Sequence, residues 1–370
     1  MHIKPFLLEE FFAKHEFTVK HLLCASDCEP LHLEEVVGFA DTETASLWRD
    51  LRLSYTDPKG HPLLRAEIAR LYKDVTADDV LVLAPEEGIF LTMLATLQTH
   101  DKIIVPVLAY QSLYEIAASL GCELLTWLPH ENYAEAKWQF DVKYVCDLME
   151  IHHPKMIVLN FPHNPTGALI TRTELEQVVR VAAETGTMLF SDEMYRFLEM
   201  DTHMRLPSAS DLSENAVSLC GLSKSFALPG LRIGWLTSRN AKLLKQIQQL
   251  RDYTTICPPA PSEILAIMAL RAKGTILERN RSLIAGNKIF ASHVFGVGWR
   301  EPFGGSVAFI RYHGKEGAKI FCDGLLRSKG VLLAPSSVFG FGDSHFRVGL
   351  GRSGSKVGFE LVADYIQENR

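Results

Sequence analysis

The chain has 370 residues, 47% hydrophobic and 22% charged, a balance that supports a large folded core and leaves no low-complexity tract to explain. A formal net charge of −6 argues against a nucleic-acid surface, and no run is long and apolar enough to span a bilayer. The start, Met1-His2-Ile3-Lys4-Pro5, has no secretory apolar region, and the seven scattered cysteines read as reduced thiols of a cytoplasmic protein rather than a disulfide or zinc framework.

In chain order, short apolar runs at 80–83, 103–105, 124–127, 156–159, 188–191, 217–220 and 232–236 predict strands, with helical patterns between many of them. Thr171-Arg172-Thr173-Glu174 is a capping box that opens one such helix, with Leu175, Val178, Val179 and Ala182 as its apolar stripe. This alternation predicts an α/β fold with a largely parallel sheet and helices on both faces. The last third changes character. Helices are expected at 262–272, 275–290 and 357–368, and strands at 306–311 and 331–334, as in a smaller α+β domain. The expected division is residues 1–45 as an N-terminal segment joining the small domain, 46–270 as the large domain and 271–370 as the small one.

The residues that carry chemistry follow the strands. Lys224 lies on a turn rich in small residues after the run at 217–220, and Arg232 follows Pro229-Gly230. A lysine so placed can form a Schiff base, and a nearby arginine can hold a phosphate. Together they point to pyridoxal phosphate, an aldehyde that carries a phosphate. Its pyridine ring works as an electron sink only when the nitrogen stays protonated, which a facing carboxylate ensures. Asp192 ends the run at 188–191 and would point into the crevice at the carboxyl ends of a parallel sheet. The alternative, that Asp192 or Glu193 caps the next helix, stays open at this point. Tyr195 could donate to the ring oxygen. Asn164, held between Pro162 and Pro165 in a loop closed by Gly167, could donate to that oxygen and to a substrate carboxylate.

The segments Asn160-Phe161-Pro162-His163-Asn164-Pro165-Thr166-Gly167, Ser191-Asp192-Glu193-Met194-Tyr195 and the stretch from Gly221 through Lys224 and Arg232 to Trp235 resemble those of fold-type I pyridoxal-phosphate enzymes of the class I/II aminotransferase family. The resemblance covers nearly the whole chain and implies a seven-stranded sheet. It also implies a Schiff base at Lys224, phosphate on Arg232, ring nitrogen on Asp192, and ring oxygen on Asn164 and Tyr195. By the same resemblance Tyr110 would stack on the ring, although a core tyrosine is the alternative. Tyr55 would reach the phosphate of a neighbouring subunit in a homodimer, and Arg347 would grip the substrate α-carboxylate, with Ser26 counted on the substrate side. Arg352 fits that motif less well.

Two positions depart from the family pattern. Its phosphate loop is a small-residue turn that opens a helix, whereas this chain has Pro85, Glu86 and Glu87, whose backbone amides would have to bind while the carboxylates turn outward. Gly221 stands where many relatives have a phosphate-binding serine, leaving Ser223 to replace it. The implied reaction is transfer of an amino group from an α-amino acid to a 2-oxo acid. A second reading is a lyase or cyclase acting on a guanidino amino acid, since Pro85–Phe90, the Tyr110 segment and the stretch 251–263 resemble capreomycidine synthase-like members. Asp252 could contact a cationic side chain there, or be a solvated helix end. A non-catalytic pyridoxal-phosphate-binding regulator is the remote third reading, and the chain leaves little room for a DNA-binding module ahead of the motifs.

Overall fold

A computed structural model describes residues 2–369. Among these, seven strands form one sheet in the order Val80–Leu83, Gly234–Thr237, Ala216–Gly221, Met188–Asp192, Met156–Asn160, Lys102–Pro106 and Glu123–Trp127. Gly234–Thr237 runs antiparallel to both neighbours and the other recorded pairings are parallel. The inner strands are buried along their length, as expected of near-continuous apolar runs covered on both sides. Alternate residues serve opposite faces. Ile104, Ile157, Leu159 and Leu189 enter one core, and Ile103, Val105, Met156, Val158 and Phe190 enter the other.

The helix Arg172–Thr185 shows how local sequence sets the flanking layers. Thr171 Oγ1 accepts from Glu174 N at 3.2 Å, and Glu174 Oε2 accepts from Thr171 N at 2.6 Å. Leu175, Val178, Val181 and Ala182 are buried, Val179 only partly, and Gly186 ends the helix in the left-handed conformation at φ 72°.

The run at 232–236 forms a strand only from Gly234, because Pro229–Leu231 makes a 3-10 turn and Arg232 takes a left-handed backbone, φ 55°. The helices expected at 262–272 and 275–290 are Ala260–Arg271 and Lys273–Phe295. The side chains of the second pass from one core to another between Leu277 and Ile284. The run at 331–334 splits. Val331–Leu332 pairs in parallel with His21–Leu22, while Ala334–Pro335 joins His345–Gly349 and Val307–Arg311 in a three-stranded sheet. Residues 21–29 thus pack with the C-terminal third, whereas Leu33–Gly38 and Thr42–Arg49 pack on Ala260–Arg271.

A hairpin, Pro129–Asn132 with Lys137–Phe140, carries Glu131 to the smaller sheet. There Glu131 meets Arg300 and Arg311 at 2.9 Å and His345 at 3.0 Å. Burial alone would raise its carboxyl, but the hydrogen bond from His345, aided by Arg311, outweighs burial and holds it down from 4.5 to about 2. The folded value lies below the unfolded one, so the stability it supplies is full above the unfolded value and is lost as pH falls toward 2. The shift corresponds to about 3 kcal/mol. Thermal melts of Glu131→Gln should show a clear loss against the parent at pH 7 and little difference near the folded value.

Candidate active site

The parallel strands end at one edge of the sheet, and the turns after them bring Glu86, Tyr110, Asn164, Asp192 and Lys224 together. Gly234–Thr237 runs the other way, so its amino end lies at the same edge and delivers Arg232. These residues, with Ser26, Tyr195, Ser223 and Arg347, line one cavity of about 790 Å³. This is the crevice position expected of an open α/β sheet.

On the sheet side, Asp192 Oδ1 accepts from Met194 N at 3.0 Å. Burial pushes its carboxyl up to about 7. Asn160 Oδ1 accepts from Asn164 N at 3.1 Å, which fixes the loop that carries Asn164. Gly167 closes that loop at φ 68°, where a Cβ would stand 2.4 Å from Pro302 Cβ. Lys224 Nζ donates to Ser26 Oγ at 2.8 Å, and burial lowers its pKa, favouring the neutral amine. Arg232 gives one N–H to Pro229 O at 3.1 Å and lines the cavity. Its left-handed backbone is unusual for a residue with a Cβ and costs on the order of 1–3 kcal/mol, a strain typical of functional positions.

Arg347 lies on the buried strand His345–Gly349. Its Nε and Nη2 donate to Cys24 O at 3.2 and 2.9 Å, and its Nη1 donates to Asn164 Oδ1 at 3.2 Å. A guanidinium has five N–H donors. One therefore remains on each Nη, the pair that grips a carboxylate.

The two departures in the phosphate region fit one another. Pro85 is the first residue of the helix Pro85–Thr96, where a missing N–H removes no helical bond. A Cβ on Gly221 would lie 3.2 Å from Pro85 Cγ, and one on Gly234 only 2.7 Å from it. The proline ring thus occupies the space that side chains at 221 and 234 would need. Glu86 and Glu87 then diverge, as consecutive helical residues must. Glu86 faces the cavity, and burial raises its carboxyl to about 6. Glu87 turns its carboxylate away from the cavity, as expected of both acids, so the correction concerns Glu86, whose side chain stays on the cavity wall. The Glu87 carboxylate accepts from the Thr254 and Thr255 hydroxyls and lies 3.8 Å from Arg251 Nε.

Tyr55 does not line the cavity of its own chain either and is 85% exposed. Asp252 is an exposed helix end bonded to Gln248 Nε2 at 3.1 Å and also lies off the cavity wall. Sequence reading missed the N-terminal helix Leu7–His15. Phe6, Glu9, Phe12 and Glu16 from this segment form a wall of the cavity, and Tyr110 Oη donates to Glu9 Oε1 at 3.0 Å. Asp27 and Arg352, paired at 2.8 Å, complete that side. Nothing in the local pattern of residues 6–16 marks them, because only chain closure over more than a hundred residues brings Glu9 to Tyr110.

The cavity suits pyridoxal phosphate on its own chemistry. Ser223 Oγ is buried in its wall without a hydrogen-bond partner among the described residues, and a buried polar group left so needs a ligand or water. Asp192 is a buried carboxyl with no ion-pair partner among the described residues, which a protonated ring nitrogen would supply. Lys224 offers an amine of lowered pKa, and Arg232 and the first turn of Pro85–Thr96 offer donors to a phosphate.

Comparison with known proteins bears on the family and the fold. The profile of the family described as aminotransferase class I and II matches residues 32–364. An aspartate aminotransferase of Thermotoga maritima is 29% identical over 78% of this chain and 76% of its own length. The capreomycidine synthase of Streptomyces vinaceus is 28% identical over 78% of this chain and 74% of its own. A crystal structure of a pyridoxal-phosphate-dependent aminotransferase from Streptococcus suis superposes with a TM-score of 0.91 at 27% identity, covering 100% of this chain and 99% of that one. With the fold, the cavity and the profile match over residues 32–364 in accord, this chain belongs to the class I and II aminotransferases and is an enzyme whose cofactor is pyridoxal phosphate.

Proposed function

We propose that the protein transfers an amino group from an α-amino acid to a 2-oxo acid, with Lys224 as the residue that holds the cofactor and moves the proton. The observation that carries this reading is the placement of Lys224 Nζ in the same cavity as the two free N–H donors of Arg347. Bound pyridoxal phosphate supplies the electron sink for a carbanion at the substrate Cα. The protein selects which bond breaks. Arg347 binds the substrate α-carboxylate through its paired donors, with Asn164 orienting it from the side. Lys224, whose pKa burial lowers, is the base at Cα. Asp192 would hold the proton on the ring nitrogen, and Tyr195 and Asn164 would donate to the ring oxygen. Arg232, Ser223 and the amides of Glu86 and Glu87 would bind the phosphate, and Glu86 carries less charge than a solvated carboxylate because burial favours its protonated form. Tyr110 would stack on the ring. The protein works as a cytoplasmic homodimer, and the exposure of Tyr55 leaves it free to serve the neighbouring site.

The likeness to capreomycidine synthase supports a second reading, cyclisation of a guanidino amino acid. A donor labelled with nitrogen-15 separates the two. Transamination moves the label into a new amino acid formed from an added 2-oxo acid. Label that stays in a product of the donor, with the 2-oxo acid unconsumed, rejects transamination.

A further inference from the structure

We propose that the cavity selects an amino donor whose side chain ends in a cation, with Glu16 as the specificity-determining residue and Glu9 supporting it at the mouth. This rests on the cofactor and carboxylate assignments above and adds the substrate class to them.

The argument starts from the charges of the cavity wall. Of its cations, Lys224 serves the cofactor, Arg232 the phosphate and Arg347 the α-carboxylate. Arg352 is held by Asp27, its Nη2 lying 2.8 and 2.9 Å from the two carboxylate oxygens. Of its acids, Asp192 serves the ring nitrogen, Asp27 is paired and Glu86 lies at the phosphate end. Glu9 and Glu16 remain. Glu9 has only the Tyr110 hydroxyl, and neither residue forms an ion pair among the described residues. Glu16 faces charges of both signs. Burial raises its carboxyl, Asp27 and then Glu9 raise it further, and Arg352 and Lys224, both committed elsewhere, lower it. A bound cation would offset the two neighbouring acids, whereas an acidic donor side chain would add to them.

Geometry directs the substrate there. Glu9, Phe12 and Glu16 are spaced i, i+3 and i+7 and share one face at the N-terminal helix and its end. Phe12 fixes that face over the anchor, its ring centroid 5.7 Å from Arg347 Cζ. A donor with its carboxylate on Arg347 and its amine at Lys224 has Phe12 beside its methylene stem and the two carboxylates beyond. The cavity is also built for a ligand on grounds independent of these acids, since the Ser223 hydroxyl, 6% exposed and unpartnered among the described residues, belongs to the same wall. A second carboxylate, as in aspartate, finds no unassigned cation.

The test compares donors of equal shape and different charge on the holoenzyme. These are arginine against citrulline and lysine against norleucine, with alanine and glutamate beside them. Affinity is read from the change in cofactor absorbance, and kcat/KM from turnover. Arginine should exceed citrulline by about tenfold or more, the size of one partly desolvated charge pair, and the ratio should fall with salt. Glu16→Gln should cut the ratio several-fold, and Glu16→Lys should shift preference toward glutamate. That gain cannot come from misfolding. Equal use of arginine and citrulline, or ratios unmoved in Glu16→Gln and Glu9→Gln, would overturn the inference while leaving amino transfer intact. Absence of any spectral response to every donor would instead remove the functional reading, and this inference with it.

Discussion

Lys224→Ala should lose turnover by at least about 10⁴-fold, because the substitution removes both the amine that holds the cofactor and the base at Cα, and general base catalysis alone supplies up to about 10⁴. The visible absorbance of a cofactor joined to the protein should vanish with it. The fold should survive. Lys224 Nζ makes one recorded hydrogen bond, to Ser26, and burial opposes its charged form, so removing it leaves no unpaired charge in the core. Thermal melting and rate measurement on the same preparation separate the two effects. A Lys224→Ala protein that still turns over would reject the central assignment.

Asp192→Asn has the second largest expected effect, and its sign differs between activity and stability. Asparagine keeps an oxygen to accept from Met194 N but cannot hold a proton on the ring nitrogen. Turnover should fall by about 10²–10⁴-fold while cofactor still binds through Lys224 and Arg232. The cofactor-free protein should become more stable. Burial raises the Asp192 carboxyl from 3.8 to about 7, so its stability contribution is present below the unfolded value and is lost as pH rises through the folded one. The shift corresponds to about 4 kcal/mol. Melts of the cofactor-free proteins should show the variant well above the parent at pH 8 and close to it at pH 4. Cofactor-loaded parent should recover much of the difference, since the ring nitrogen then pairs with the carboxylate.

Much of this site could be read before the fold, for a physical reason. A parallel sheet buries its strands on both faces, so each appears as a plain apolar run, and the chemistry must follow at the carboxyl ends. Asn164, Asp192 and Lys224 each lie within a few residues of such a run. The sequence around Arg232 reads as the start of a strand, because it does not reveal the left-handed backbone there. Nothing in the sequence separates Glu86 from Glu87, whereas the helical turn sends one into the cavity and the other to Thr254 and Thr255. Asp252, the acid that the sequence suggests for a cationic substrate, lies on a solvated helix end. The cavity acids left without another task, Glu9 and Glu16, come from an N-terminal helix and its end, whose sequence is merely amphipathic. Their position depends on packing against Tyr110 and Arg347, contacts remote in sequence that no local pattern encodes.

The most direct test of the account is the absorbance spectrum of the purified protein before and after a pool of amino acids is added. The account predicts a band of protein-bound pyridoxal phosphate that converts to the pyridoxamine form with amino acids and returns when a 2-oxo acid is supplied. A protein with no such band even after pyridoxal phosphate is added, or a band that never yields the amine form, would contradict it.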